Sequence, residues 1–147
     1  MNQGYKCTIV TDLLLIRKNK KTKKEECLLY LKKRDKTYQL PGGHVEEGLD
    51  LENTIIKQTK EQVNLIIDKK DLEIKHIMYY CKGNKIYFVF QSNKFNGKIN
   101  NNKPEEYDDI RWFELDNLPE NMPIKLKKTM NEIKDNILYS EYIKLGG

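Results

Sequence analysis

The segment Leu40-Pro41-Gly42-Gly43-His44-Val45-Glu46-Glu47-Gly48 constrains this chain more than any other. Its glycines and proline favour turn and loop conformations over a regular element. A helix follows directly. Asp50 is a good N-cap residue, and Ile55, Ile56, Thr59 and Val63 recur at helical spacing on one face. Thr59 is a weak residue for that stripe. The helix is expected to end near Asn64, because asparagine tolerates the left-handed conformation found at helix ends.

Strand-like segments surround this loop and helix. Tyr5 to Arg17 is rich in β-branched and leucine residues and reads as one strand, straight or bent. Lys18 to Glu25 is polar and reads as the loop of a long hairpin whose second strand is Cys27 to Lys33. After the helix, Leu72 to Tyr80 and Lys85 to Gln91 read as two strands joined by a Gly83-Asn84 turn. Phe95 to Pro104, with Asn-Gly at 96–97 and asparagines at 100–102, reads as a loop. Asp109 to Glu114 reads as a short strand carrying Trp112 and Phe113. Pro119 to Pro123 is a turn, and Ile124 to Tyr139 is expected to be a final amphipathic helix. Strands flanking a helix, then strands, then a helix imply an α/β sandwich.

The 147 residues suit one domain, 1–147, with a core that needs no staples. No apolar run approaches the roughly 20 residues that span a bilayer, and Met1 to Lys6 lacks the order of a signal peptide. Cys7, Cys27 and Cys81 are widely spaced and fit neither a zinc pattern nor a disulfide framework, so a reducing cytoplasm is the expected setting. The net charge of +5 comes mostly from lysine. Lys18 to Lys24 and Lys125 to Lys128 lack interleaved aromatics and glycines, so solvated faces are expected there, and nucleic acid is not the expected partner.

The loop at 40–48 and its helix resemble the opening of the Nudix box. Asp109-Ile110-Arg111-Trp112-Phe113-Glu114-Leu115, followed by Leu118-Pro119, is similar to that family's late strand and turn. The order of elements agrees over nearly the whole chain. The resemblance implies a Nudix fold: an α/β/α sandwich with a mixed central sheet and the box loop and helix. It also implies hydrolysis of a nucleoside diphosphate derivative with Mg²⁺ or Mn²⁺ as cofactor, a nucleotide-type small-molecule partner, and the possibility of a sheet-edge homodimer.

The family pattern is G-x5-E-x7-R-E-U-x-E-E-x-G-U, with U a bulky aliphatic residue. Aligned from Gly43, Glu61 and Leu65 match, and Lys57 keeps the charge of the arginine. Leu49, Gln58, Thr59, Gln62 and Asn64 depart from it. Residues 57, 58, 61 and 62 share one helix face opposite the core stripe. In a complete box that face offers three carboxylates to a hard cation, which favours oxygen ligands. Here it offers Glu61, two neutral amides and a lysine. By resemblance, Gly43 through its carbonyl, Glu61, Gln58 and Gln62 are the expected metal ligands. Two lost formal charges weaken metal binding, and loss of a general base would cost roughly 10²–10⁴ in rate. Glu61, Glu46 and Glu47 are the candidates for that base.

Other residues have two readings. Lys57 and Lys103 offer charge to a phosphate, with Lys103-Pro104 standing where many relatives carry Glu-Pro; charge shuffling on a loop is the alternative. Tyr38 and Gln39 are candidate substrate contacts or packing residues. Asn121 and Met122 fall where relatives shape a nucleobase pocket. His44 and His76 read as structural or surface histidines, and Trp112 and Phe113 as packing. Among Tyr79, Tyr80, Tyr87, Phe88 and Phe90, one exposed member could stack on a base. A weak metal-dependent hydrolase is therefore the first expectation. A nucleotide-binding or sensor module of the same fold is the second.

Overall fold

The computed structural model describes residues 3–143. Its centre is β1 (Thr8–Lys18), which runs parallel to β6 (Lys85–Ser92) over eight residue pairs. On its other edge β1 changes partner. Val10 to Asp12 pair with β4 (Gly42–His44), whereas Ile16 to Lys18 pair with β2 (Glu25–Lys32). β2 in turn carries β3 (Thr37–Gln39) and β7 (Tyr107–Glu114). β5 (Glu73–Tyr80) pairs antiparallel with β6 and parallel with β8 (Tyr139–Tyr142). The sheet is therefore mixed.

Side chains alternate along a strand, so β1 serves two cores at once. Leu13 and Leu15 pack with Ile55, Val63 and Leu65, on the side of helix α1 (Leu51–Val63). Leu14 and Ile16 pack with Met122 and Met130, on the side of helix α2 (Ile124–Lys134). This is the expected α/β/α arrangement. The same alternation assigns Val10 and Asp12 to the α2 face.

Helix α1 begins and ends as its sequence dictates. The Asp50 carboxylate accepts the backbone N–H of Asn53 at 2.7 Å, and Asn64 closes the helix at φ +65°. Thr59 is fully buried because its hydroxyl donates to the Ile55 carbonyl at 2.7 Å. The asparagine-rich loop has a structural task. Asn100 and Asn102 donate their backbone N–H groups to the carbonyls of Val63 and Gln62, covering the open end of the helix.

The final helix is shorter than its periodicity predicts. It ends at Lys134 instead of Tyr139, because Asn136 takes φ +59° and turns the chain. Ile137 donates back to the Glu132 carbonyl at 2.8 Å, and residues 139–142 then join the sheet as β8. Strand β4, within the segment read as a loop, and β3, just before it, are three residues each and too short for a periodic signal.

Of the paired glycines, Gly42 is the one that geometry requires. It sits at φ +138°, and a Cβ there would lie 2.1 Å from the Thr11 carbonyl oxygen. A Cβ at Gly43 would meet only Gln58, at an ordinary 3.5 Å. Gly42→Ala is expected to destabilise the fold by about 3 kcal/mol or more, and Gly43→Ala by under about 1 kcal/mol. Urea denaturation of both variants measures the difference.

Candidate active site

The box loop is pinned between β1 and α1. From the sheet side, the Thr11 hydroxyl approaches the Gly43 carbonyl at 3.4 Å. From the helix side, two glutamine side chains reach the loop backbone. Gln62 donates its amide N–H to the Gly42 carbonyl at 2.8 Å and accepts the Gly42 N–H at 3.1 Å. Gln58 donates to the His44 carbonyl at 2.8 Å. The Gln58 side-chain oxygen is buried and has no hydrogen-bond partner; among the described residues it is the only buried side-chain polar atom so placed.

The outward positions of the same face are charged. Lys57 Nζ lies 2.9 Å from Glu46 and 3.7 Å from Glu61. Hydrogen bonding to Glu46, and then its charge, raise the Lys57 ammonium above the usual lysine range. Glu47 is exposed and makes no hydrogen bond or ion pair among the described residues. Lys103 follows Asn102, which is bonded to the last turn of α1, so the 100–103 loop borders the box helix.

Lys57, Glu46 and Glu61 are thus brought together, and Gln58 lies against the backbone of Gly43 and His44. Gln62 is on the face expected, but both ends of its amide are engaged by Gly42. Among the described residues no three His, Cys, Asp or Glu side chains gather as a metal cluster. The donor set that remains is Glu61, the Gly43 carbonyl and the orphaned Gln58 oxygen. That set suits one hard divalent cation with several waters and lacks the carboxylates for a second.

A cavity of about 410 Å³ opens on the opposite, α2 side of the box loop. Gly42, Gly43 and His44 form part of its wall, and Gln39 lines it as well. Tyr38, Asn121 and Met122 do not line it. The Tyr38 ring is buried against Phe113 at 4.8 Å, and its hydroxyl donates to Asp109 at 2.9 Å. Met122 is buried in the α2-side core. Asn121 holds β3 through its carbonyl, which accepts the Tyr38 N–H, and its side chain donates to the Lys36 carbonyl. These three position the strand before the box.

Residues not singled out from the sequence line the cavity instead: Asp12, Tyr30, Lys32 and Lys85; Lys125, expected on a solvated face, is half-buried and lines it too. Tyr87, one of the aromatics weighed for stacking, is there too. A signal existed for Asp12, an acid inside the apolar run Thr8 to Ile16. Desolvation pushes its carboxyl up from 3.8 to about 7. Desolvation also raises the Tyr87 hydroxyl to about 12, with the Asp12 charge adding to it.

The Asp12 shift has a consequence for stability. The folded state holds this proton up to about pH 7, whereas the unfolded chain releases it near 3.8. Stability therefore falls as pH rises through that window, by an upper bound on the order of 4 kcal/mol. Asp12→Asn should be clearly more stable than the parent at pH 8 and nearly equal to it at pH 4. Denaturation of both proteins at the two pH values tests this.

The comparisons agree with the fold. A family model described as NUDIX domain matches residues 9–137. A MutT NUDIX hydrolase from Burkholderia pseudomallei superposes with a TM-score of 0.74 at 17% identity, covering 86% of this chain and 97% of that one. A MutT protein from Bacillus halodurans gives 0.71 at 20% identity, covering 92% and 90%. An Ap4A hydrolase from C. elegans gives 0.63 at 22% identity, covering 86% and 96%. No curated protein matches this chain. Among the described residues no helix is long and apolar enough to cross a membrane.

Proposed function

This chain belongs to the Nudix family, and on that premise we propose that it hydrolyses a diphosphate linkage in a nucleoside diphosphate derivative, slowly and with Mg²⁺ or Mn²⁺, in the cytoplasm. The observation that carries this reading is the buried, unpartnered Gln58 oxygen where helix and loop meet. A native fold rarely leaves such an atom without a partner unless something else completes it. Glu61, the Gly43 carbonyl and Gln58 would hold the cation. Bound there, it would neutralise the diphosphate and favour deprotonation of an attached water.

The chain's own residues divide the remaining work. Glu47 is the loop carboxylate without a competing partner among the described residues, which supports it as the group that accepts the proton of the attacking water. Glu46 is occupied by Lys57, and the pair keeps Lys57 charged beside the site. Lys57 and Lys103 offset phosphate charge. Gln62 holds the Gly42 backbone, and so fixes the position of the Gly43 carbonyl.

A second reading has its own support. Because Gln62 clasps the loop with two neutral hydrogen bonds, the face is organised without any cation. A nucleotide-binding module that does not cleave its ligand needs nothing more. Such binding would survive excess EDTA in calorimetry.

Product release from a panel of nucleotides and nucleotide sugars separates these readings. The hydrolase reading predicts turnover with Mg²⁺ or Mn²⁺ that falls about 10²-fold or more in Glu61→Gln. Equal background rates in both proteins would refute it. The clasp yields a further expectation. Gln62→Glu loses the donor to the Gly42 carbonyl, which should cost about 1–3 kcal/mol in EDTA. Combined with Gln58→Glu, it should tighten Mg²⁺ binding, and the melting temperature should then rise with added Mg²⁺ more than in the parent.

A further inference from the structure

The cavity on the α2 side of the box loop contains a carboxylate that the fold leaves unmatched. Asp12 is partly buried on β1, between Val10 and Leu14 on its face, and makes no hydrogen bond or ion pair among the described residues. Partly desolvating a carboxylate without protein donors is unfavourable, and this one lies on the central strand with its side chain lining the cavity. Such a group is retained where a ligand supplies the missing donors.

The surroundings narrow the ligand class. Lys32, Lys85 and Lys125 line the same cavity. Three ammonium groups disfavour a metal ion or an organic cation as the partner of Asp12. They suit a ligand whose recognised edge is neutral and whose remainder is anionic. Asp35, the other acid in the lining, is already used: it accepts the Thr37 hydroxyl at 2.7 Å. Tyr30 and Tyr87 contribute aromatic walls, and Val89 an apolar one. Aromatic and apolar walls with one convergent polar group describe a pocket for a planar heterocycle, and about 410 Å³ falls within the usual range for small-molecule sites. The cavity reaches Gly42 and Gly43, so a base bound here would have its phosphates directed at the box loop.

We propose that this cavity is a nucleobase subsite in which the two Asp12 carboxylate oxygens accept the adjacent N1–H and N2–H donors of a guanine base. The assignment to guanine follows from the donor pattern. A carboxylate needs two neighbouring donors. Adenine and cytosine set a ring acceptor beside the exocyclic amine, and uracil places carbonyls on both sides of N3–H. Guanine alone of the common bases places two donors side by side. Asp12 is then a specificity-determining residue. The inference rests on the reading that the box face handles a nucleoside diphosphate, and it extends that reading to the base.

The experiment is calorimetric titration of the metal-free protein at pH 8, where Asp12 is ionised and both oxygens accept, in excess EDTA, with GDP, IDP and ADP. IDP lacks only the N2 amine, so it is expected to bind about 10-fold more weakly than GDP, and ADP about 100-fold more weakly. In Asp12→Asn the amide offers one donor and one acceptor, so the preference for GDP over ADP should collapse or reverse. Equal affinities for GDP, IDP and ADP in the parent protein would overturn the proposal, as would an unchanged GDP-to-ADP ratio in Asp12→Asn or failure of all three to bind. Comparison of GDP with IDP uses the parent protein alone, so it does not depend on the variant folding. Guanine-selective binding without turnover would sink the hydrolase reading and leave this one standing. Nucleotide hydrolysis that ignores the base would do the opposite.

Discussion

Two hydrogen bonds between the Gln62 side chain and the Gly42 backbone fix the relation of helix α1 to the box loop. Much else follows from that clasp. Gly42 can stay at φ +138° against the Thr11 carbonyl because both of its polar groups are satisfied from the helix side. Gly43 is thereby set beside Gln58. The far side of the same loop becomes a wall of the α2-side cavity. One neutral side chain thus links the helix, the central strand and both faces of the candidate site.

The clasp also accounts for how the site tolerates its missing acids. A box rich in carboxylates needs cations to relieve the repulsion among them. Here the inward positions are amides that bond directly to the loop, and the outward ones form a Glu46–Lys57–Glu61 chain of opposite charges. Those exposed pairs contribute little stability individually. Their effect is to leave the face close to neutral. On the proposed reading, a cation would have one carboxylate and two neutral oxygens, and weak binding would then follow from charge rather than from shape.

Much of this was legible in the sequence, for physical reasons. Asp50 and Asn64 announce the ends of α1 because capping is local chemistry, and the apolar run Leu13 to Ile16 announces a strand, which the structure buries on both faces. Glu61, Gln58 and Lys57 were singled out through the resemblance to the box, and their helical spacing explains why they share a face. The rest depends on long-range contacts. Nothing near Asn136 in the sequence states that the chain will return as β8 beside β5. Tyr38, Asn121 and Met122 lie close in sequence to cavity-lining residues, but the sheet turns them toward the core or onto β3. Asp12 is distant in sequence from every box residue and reaches the site only because β1 pairs with β4.

The central claim is that neutral amide bonds, without a cation, hold the box loop in its working position. Hydrogen exchange at the Gly42 amide tests it most directly. In excess chelator this amide should remain protected, and protection should be lost in Gln62→Ala. Exchange as fast as that of the exposed Gly48, restored only by adding Mg²⁺, would contradict the account.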